Sequence, residues 1–296
     1  MRIAVTGKSG QVVTALLERG EAAGHEVIAL GRPELDLADP ASVMRVLQAA
    51  VPDVIVSAAA YTAVDKAETE ADLAHAVNGA GAGAAAQAAK TLGVPLIHVS
   101  TDYVFDGSLD RPYVEDDATG PTGAYGASKL AGEQAVLDTY PEGSAVLRVA
   151  WVYSPFGGNF VKTMLRLARD RDEVSVVADQ VGNPTSALDI ADGILMVAAN
   201  LTGSDDASLR GVFHMTANGE ASWADFAEGI FAASAANNGP SARVKRITTA
   251  EYPTPATRPA NSRLDCGRIA RIHGVALPDW PTALQTVVAR LQTASA

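Results

Sequence analysis

The chain has 296 residues, of which 48% are hydrophobic, enough for a sizeable core arranged as one large or two smaller domains. Its formal net charge of −11, with no basic face in the sequence to offset it, excludes nucleic acid as a partner, because backbone phosphates would be repelled. Cys266 is the only cysteine, which excludes an intramolecular disulfide and agrees with a reducing compartment, and the five scattered histidines have no zinc-type spacing, so the residues themselves call for no metal.

No apolar stretch approaches the ~20 residues that span a bilayer, and Met1-Arg2-Ile3-Ala4-Val5 reads straight into a strand. A cytoplasmic protein with no membrane partner is expected. Strand and helix then alternate in units of roughly thirty residues, as a parallel sheet with crossover helices requires. Arg2 to Thr6 is the first strand, Gln11 to Ala23 the first helix, ended by Gly24, and Glu26 to Leu30 the second strand. Asp39-Pro40 starts a helix, since Asp caps well and Pro is tolerated at the first helical position. Val54-Ile55-Val56 reads as a fully buried strand. The segment from Glu70 to Leu92 carries Gly79, Gly81 and Gly83, which cost a helix up to ~1 kcal/mol each. A flexible linker is one reading; a helix packed very close to the sheet is preferred, because Ala74, Val77, Ala85, Ala88, Ala89 and Leu92 keep an apolar face.

Leu96 to Ser100 is the fourth strand, a helix runs from Tyr125 to about Tyr140, and Ala145 to Trp151 is the fifth strand. Beyond it the alternation weakens: helix from Phe160 to Ala168, strand from Val174 to Val177, helix from Ile190 to Ala199, strand from Val212 to Met215. Ser222 caps a helix through Ala235, with Asp225 completing a capping box. Pro253 to Pro259 is a proline-punctuated loop that can be neither helix nor central strand. The fold class expected is α/β: a doubly wound parallel Rossmann sheet, residues 1–152 plus 183–218, with a smaller α/β substrate-binding domain from 153–182 plus 219–296.

Thr6-Gly7-Lys8-Ser9-Gly10-Gln11 joins the first strand to its helix, where glycines let backbone N–H groups approach a pyrophosphate at the positive helix end. No Gly-Lys-Ser/Thr follows at the spacing of a Walker loop, and Val13 holds the place of the third fingerprint glycine. An NAD-selective site carries an acid about twenty positions on; here Gly31-Arg32 stands there. Arg32 either pairs with the 2′-phosphate of NADPH or is a surface charge; the first reading predicts an NADPH preference.

Tyr125 and Lys129, four apart, return to nearly the same face of a helix. Alone, such a spacing reads as a solvated face, and the case for a site comes from its surroundings. A cation beside a phenol favours the phenolate, so the pair can exchange a proton with a carbonyl or alcohol. Thr101 follows strand four, at the carboxyl edge where ligands bind in this architecture, and precedes Tyr125 by twenty-four residues. Thr101, Tyr125 and Lys129 make a three-part set: carbonyl orienter, proton donor, and cation that lowers the donor's pKa.

With these motifs in place the chain resembles the extended short-chain dehydrogenase/reductases, and within them the dTDP-4-dehydrorhamnose reductase family. The resemblance runs over nearly the whole length, on Gly7 to Gln11, Ala58 to Glu68, Ser100 to Phe105, Tyr125 to Glu133, Arg148 to Tyr153 and Arg258 to Leu264. It implies Tyr125 as proton donor, Lys129 on the nicotinamide ribose, and Thr101, Asp102 and Trp151 against the sugar. It further implies Gly10, Gln11 and Val12 at the pyrophosphate beside Gly7, Asp36 and Leu37 by the adenine, and Ala60, Tyr61, Thr62 and Val99 on the nicotinamide side. Arg258 and Arg263 on the proline-rich loop are the expected cations for a nucleotide diphosphate.

Blander roles stand beside these: Trp151 as core, Asp102 as a turn former, Arg258 as surface charge. The resemblance implies NADPH, with NADH possible, and a dTDP-sugar substrate; Mg²⁺ rests on analogy alone, with Glu18, Glu220 and Asp225 reading as ordinary helix-surface carboxylates. A homodimer is open. Two rivals remain: a sugar-nucleotide dehydratase, which would carry Glu where Tyr103 stands, and a non-catalytic regulatory subunit of methionine adenosyltransferase.

Overall fold

The computed structural model describes residues 1–293. Strands β1 (Arg2–Thr6), β2 (Glu26–Leu30), β3 (Val54–Ser57), β4 (Leu96–Thr101) and β5 (Ser144–Val149) lie in one sheet; β6 (Glu173–Val177) leaves it, and β7 (Gly211–His214) returns as a sixth member. The order is β7-β5-β4-β3-β1-β2, with every neighbouring pair parallel. Every residue of β3, β4 and β5 is buried, which is why they read as mainly apolar runs instead of alternating ones, with His98 and Arg148 buried inside β4 and β5. The chain reverses direction of travel between β1 and β3, and the crevice at such a switch point is where a doubly wound sheet takes its ligand.

Helix α1 (Gln11–Ala22) lies on one face of the sheet; α2 (Pro40–Ala50) lies on the other, capped by Asp39, whose carboxylate accepts from the Ala41 N–H at 3.2 Å. Ala71–His75, a π-helical turn Ala76–Ala80 and Gly81–Leu92 run on as one helix, α3, so the glycine-rich stretch is helix and not linker. The glycines serve a different neighbour from the one expected. A Cβ on Gly81 would lie 2.7 Å from Leu37 Cβ, and one on Gly83 would lie 3.2 Å from Ala135, in α4 (Ala124–Thr139). It is the alanine face, Ala85, Ala88 and Ala89, that packs with the core of Ile55, Leu96 and Val146.

The later part of the chain adds α5 (Phe160–Leu167), α6 (Ala187–Gly203), α7 (Trp223–Ala236), β8 (Arg243–Ile247), α8 (Gly267–His273) and α9 (Trp280–Thr293). Helix α6 packs beside α1 and begins three residues earlier than the sequence suggests, because the Ser186 hydroxyl caps it at the Leu188 N–H. Strand β8 pairs with β6, parallel, and α7 opens with the expected Ser222–Asp225 capping box. Residues 253–259 form neither helix nor strand, and they are strapped to the start of the Val64–Ala67 turn: Asp65 accepts from the Ala256 N–H at 3.2 Å and from Arg258 at 2.9 Å. No helix among the described residues is long and apolar enough to cross a membrane.

Candidate active site

A cleft of about 1080 Å³ opens along the carboxyl ends of β1, β3, β4 and β5. Its floor at one end is the turn after β1. Gly7 has φ +105°, and its N–H donates to the Leu30 carbonyl at 2.6 Å. A Cβ there would be strained and would sit 3.1 Å from Val13 and 3.3 Å from Ala59, so Val13, in the place of the third fingerprint glycine, fills the space beneath the turn. No side chain caps α1 at Gly10, which leaves the amides of Gly10, Gln11 and Val12 facing the cleft for an anion. The Gln11 side chain turns away: its oxygen accepts from Ser154 and Asn159, and its nitrogen donates to the Val152 carbonyl. Gly31 is buried with no room for a side chain, since a Cβ would lie 3.1 Å from Lys8 Cγ and 3.3 Å from the Gly7 carbonyl carbon. Exposed Arg32, and Asp36 and Leu37, line this end, and Lys8 pairs with Glu34 at 2.5 Å.

The middle of the cleft is bounded by Ala60, Tyr61 and Thr62. Thr6 holds the approach to this loop by accepting from the Ala58 and Ala59 N–H groups, both at 3.1 Å. Asn78, in the π-helical turn, grips Tyr61 at both backbone groups, accepting from its N–H at 2.7 Å and donating to its carbonyl at 3.1 Å. The same amide donates to the Ser128 hydroxyl at 2.9 Å, which donates to the Tyr125 carbonyl at 2.7 Å. Asn78 thus ties the loop of Ala60, Tyr61 and Thr62 to the helix of Tyr125, and only the three-dimensional fold reveals it.

Thr101, Tyr125, Lys129 and Val99 converge in the cleft beyond. Burial holds the Tyr125 phenol above its ordinary range; the Thr101 hydroxyl offsets part of this, while Asp102 and Tyr103 add to it. The sequence reading had Lys129 lowering the phenol's pKa, and the structure corrects it: the ammonium is itself 3% exposed, donates to the Val99 carbonyl at 2.7 Å, and is brought down by burial to about 8. Removing both groups from water outweighs their spacing on the helix, and the Tyr125 phenol is held in its neutral form. Its ring meets that of Tyr103 edge-on at 5.4 Å. Tyr103, pushed up to about 12 chiefly by burial, stays neutral as well.

Asp102 accepts from Thr101 at 2.9 Å through one carboxylate oxygen; the other is buried without a hydrogen-bond partner in the cleft wall, and burial raises the group to about 6. Trp151 also lines the cleft. It has φ +46°, which ends β5 two residues before the expected point, and its indole stacks on Trp223 at 3.7 Å. Gly182 is small because of it: a Cβ would lie 2.5 Å from Trp151 Cε2. Arg258 and Arg263 are not part of the cleft wall. Arg258 pairs with Asp65, and Arg263 with Glu220 at 3.0 Å, Asn261 and the Asp110 carbonyl. Trp223, Phe160, Gly157 and Gly158 reach the cleft from the later part of the chain without a signal in the sequence. Glu18 and Asp225 are engaged by Arg290 and Arg246, and no group of three His, Cys, Asp or Glu among the described residues is arranged to hold a metal.

The glycine turn, the uncapped end of α1 and the buried ammonium suit a dinucleotide lying from Gly10 to Lys129. Comparison with known proteins agrees. Residues 1–293 match the family model described as the RmlD substrate binding domain. The chain is 51% identical to the dTDP-4-dehydrorhamnose reductase of Sinorhizobium fredii, over 97% of each, and 39% identical to that of Escherichia coli over the full length of both. Among solved structures, a Bacillus anthracis dTDP-4-dehydrorhamnose reductase in complex with NADP superposes with a TM-score of 0.89 at 36% identity, covering 98% of this chain and 99% of that one. A Thermus thermophilus UDP-glucose 4-epimerase, 20% identical with a TM-score of 0.80, shares the fold alone, over 99% of this chain and 100% of that one. By its sequence and its fold, the chain belongs to the dTDP-4-dehydrorhamnose reductase family.

Proposed function

We propose that the protein reduces the C4 ketone of dTDP-4-dehydro-L-rhamnose to give dTDP-L-rhamnose, with NADPH as reductant, as a cytoplasmic enzyme. The observation that carries this reading is the convergence of Thr101, Tyr125 and Lys129 in a cleft continuous with the anion-binding turn after β1. The dinucleotide, when bound, supplies the hydride; proton transfer and orientation fall to the chain. Lys129, at the carboxyl end of β4, holds the nicotinamide ribose, and Ala60, Tyr61 and Thr62 close the other side. The Thr101 hydroxyl orients the ketone oxygen by turning its one proton from Asp102 to that oxygen, and Tyr125 gives the oxygen its proton as negative charge develops there. A phenol kept neutral by burial is the form a reductase needs.

Asp102 stands in the cleft wall on the sugar side, and the stacked indole of Trp151 is a wall for the hexose. Arg32, exposed beside the Gly31 gap, favours the 2′-phosphate of NADPH over NADH. Arg258 and Arg263 are the cations for the diphosphate in this reading; Arg258 holds Asp65 through Nη2 and leaves Nη1 without a hydrogen-bond partner, while Arg263 is paired with Glu220. Residues 1–152 with 183–218 form the cofactor domain in this reading, and 153–182 with 219–296 the substrate domain. Mg²⁺ has no part in the steps above.

Incubating the protein with dTDP-4-dehydrorhamnose and each nicotinamide cofactor, and identifying the sugar by NMR, tests the reading: dTDP-L-rhamnose formed faster with NADPH supports it, and failure to consume either cofactor overturns it. Tyr125→Phe should abolish turnover while cofactor binding persists.

A further inference from the structure

Helix α4 carries a third ionisable group on the stripe of Tyr125 and Lys129: Glu133, one more turn along and 2% exposed. Its carboxylate accepts from the Ser100 hydroxyl at 2.5 Å and from Arg148 of β5 three times, from Nε at 2.9 and 3.2 Å and from Nη2 at 2.7 Å. Arg148, 4% exposed, lies 5.0 Å from the centre of the Phe105 ring, and its Nη1 is 3.4 Å from His214 Nε2. A buried ion pair is a poor way to stabilise a fold, since apolar residues of similar volume do as well or better. The pair's position suggests another use. Glu133 holds Ser100 while Lys129 holds the Val99 carbonyl, so two successive residues of β4 are pinned to α4 immediately before Thr101.

We propose that Glu133 is a positioning residue for proton transfer: through Ser100 it fixes Thr101 against the Tyr125 helix, and its carboxylate is the anion that faces the Lys129 ammonium. The inference rests on the reductase reading for its consequence in turnover, and on the geometry alone for its effect on Lys129. Glu133 acts against the burial that brings Lys129 down. The other groups around the pair do not replace it. His98 of β4 is buried and held neutral by that burial and by Lys129; Asp102, Tyr103 and Tyr125 face the cleft. On the far side of Glu133, Arg148 is followed by His214, whose N–H donates to Glu115 at 3.0 Å; Arg268 lies 3.5 Å from Glu115. At the ends of α4, Glu68 accepts from the Ala124 N–H and Lys90 donates to the Thr139 carbonyl, while Asp72 and His75 on α3 are exposed.

The test is Glu133→Gln, which keeps the shape and an acceptor for Ser100 but removes the charge. The titration of Lys129 is followed by NMR of ¹³Cε-labelled lysine in the full-length protein without cofactor, assigned by its loss in Lys129→Met, together with the pH profile of kcat. The expected result is that the Lys129 titration and the alkaline limb of kcat both move down by about one pH unit. If both stay at the wild-type position while only the melting temperature falls, Glu133 is merely structural and the proposal is overturned. Should Glu133→Gln not fold, the double variant Glu133→Gln/Arg148→Met is read against Arg148→Met alone, so that the difference isolates the loss of the carboxylate charge. If the wild type reduces no ketosugar, the reductase reading fails, and the NMR titration still decides the role of Glu133.

Discussion

Lys129 Nζ donates to the Val99 carbonyl at 2.7 Å, so the ammonium at the centre of the site is anchored by a neutral backbone group and is not paired directly with a carboxylate. Burial brings it from 10.5 down to about 8. Its charge is therefore lost within a pH range accessible to assay, and kcat is expected to fall as pH rises through about 8. Stability moves the opposite way. From about 8 to 10.5 the unfolded chain binds a proton that the folded chain releases, so the contribution of Lys129 to folding becomes more favourable as pH rises. Initial rates and urea melts over the same buffers check both signs.

Asp102 makes the corresponding case on the acid side. Its carboxyl is raised from 3.8 to about 6 by burial, so the folded state takes up a proton in that window and Asp102 favours folding less as pH rises through it. At pH 7 the charged, half-partnered group is a cost. Asp102→Asn should raise stability by about 1 to 3 kcal/mol in denaturant melts. It should also lower kcat/KM for the sugar nucleotide, as expected of a residue whose strained environment serves binding.

The Gly31 gap bears on cofactor choice. Introducing the acid typical of NAD enzymes, as Gly31→Asp, drives a Cβ to 3.1 Å from Lys8 and 3.3 Å from the Gly7 backbone, so it should weaken both nicotinamide cofactors without switching preference. Arg32→Ala, which leaves the turn untouched, is expected to weaken NADPH by roughly tenfold or more while sparing NADH. Dissociation constants by fluorescence titration separate the two effects.

Gly132 carries the close approach of α3 and α4. A Cβ there would lie 2.2 Å from the Asn78 carbonyl oxygen and 3.3 Å from Ala82. Gly132→Ala should cost about 1 to 3 kcal/mol in stability. By shifting the π-helical turn it should loosen the hold of Asn78 on Tyr61, raising KM for the cofactor.

Much of the sheet was legible because buried parallel strands leave largely apolar runs, unbroken in Val54 to Val56 and interrupted only by His98 in Leu96 to Val99. The turn at Gly7 and the convergence of Thr101, Tyr125 and Lys129 were legible because loop position and helical spacing fix them. What escaped depends on who packs against whom. The glycines of α3 face Leu37 and α4 in place of the sheet, Asn78 works from a π-helical turn, and Trp223 enters the cleft from far along the chain. The direction of the Tyr125 shift escaped for the same reason, since spacing shows that a cation is near but not how dry the pair is. For Arg258 and Arg263, the sequence shows two cations near the proline-rich loop but not their partners, and the structure pairs them with Asp65 and Glu220 outside the cleft wall.

The stacked indoles of Trp151 and Trp223 account for two of the chain's three tryptophans, and both belong to the cleft wall, one from the end of β5 and one from the start of α7. The molecule therefore has its own optical gauge: two of its three indoles sit where the earlier and later parts of the chain meet in the cleft, and any change in their separation alters the coupling between the two rings.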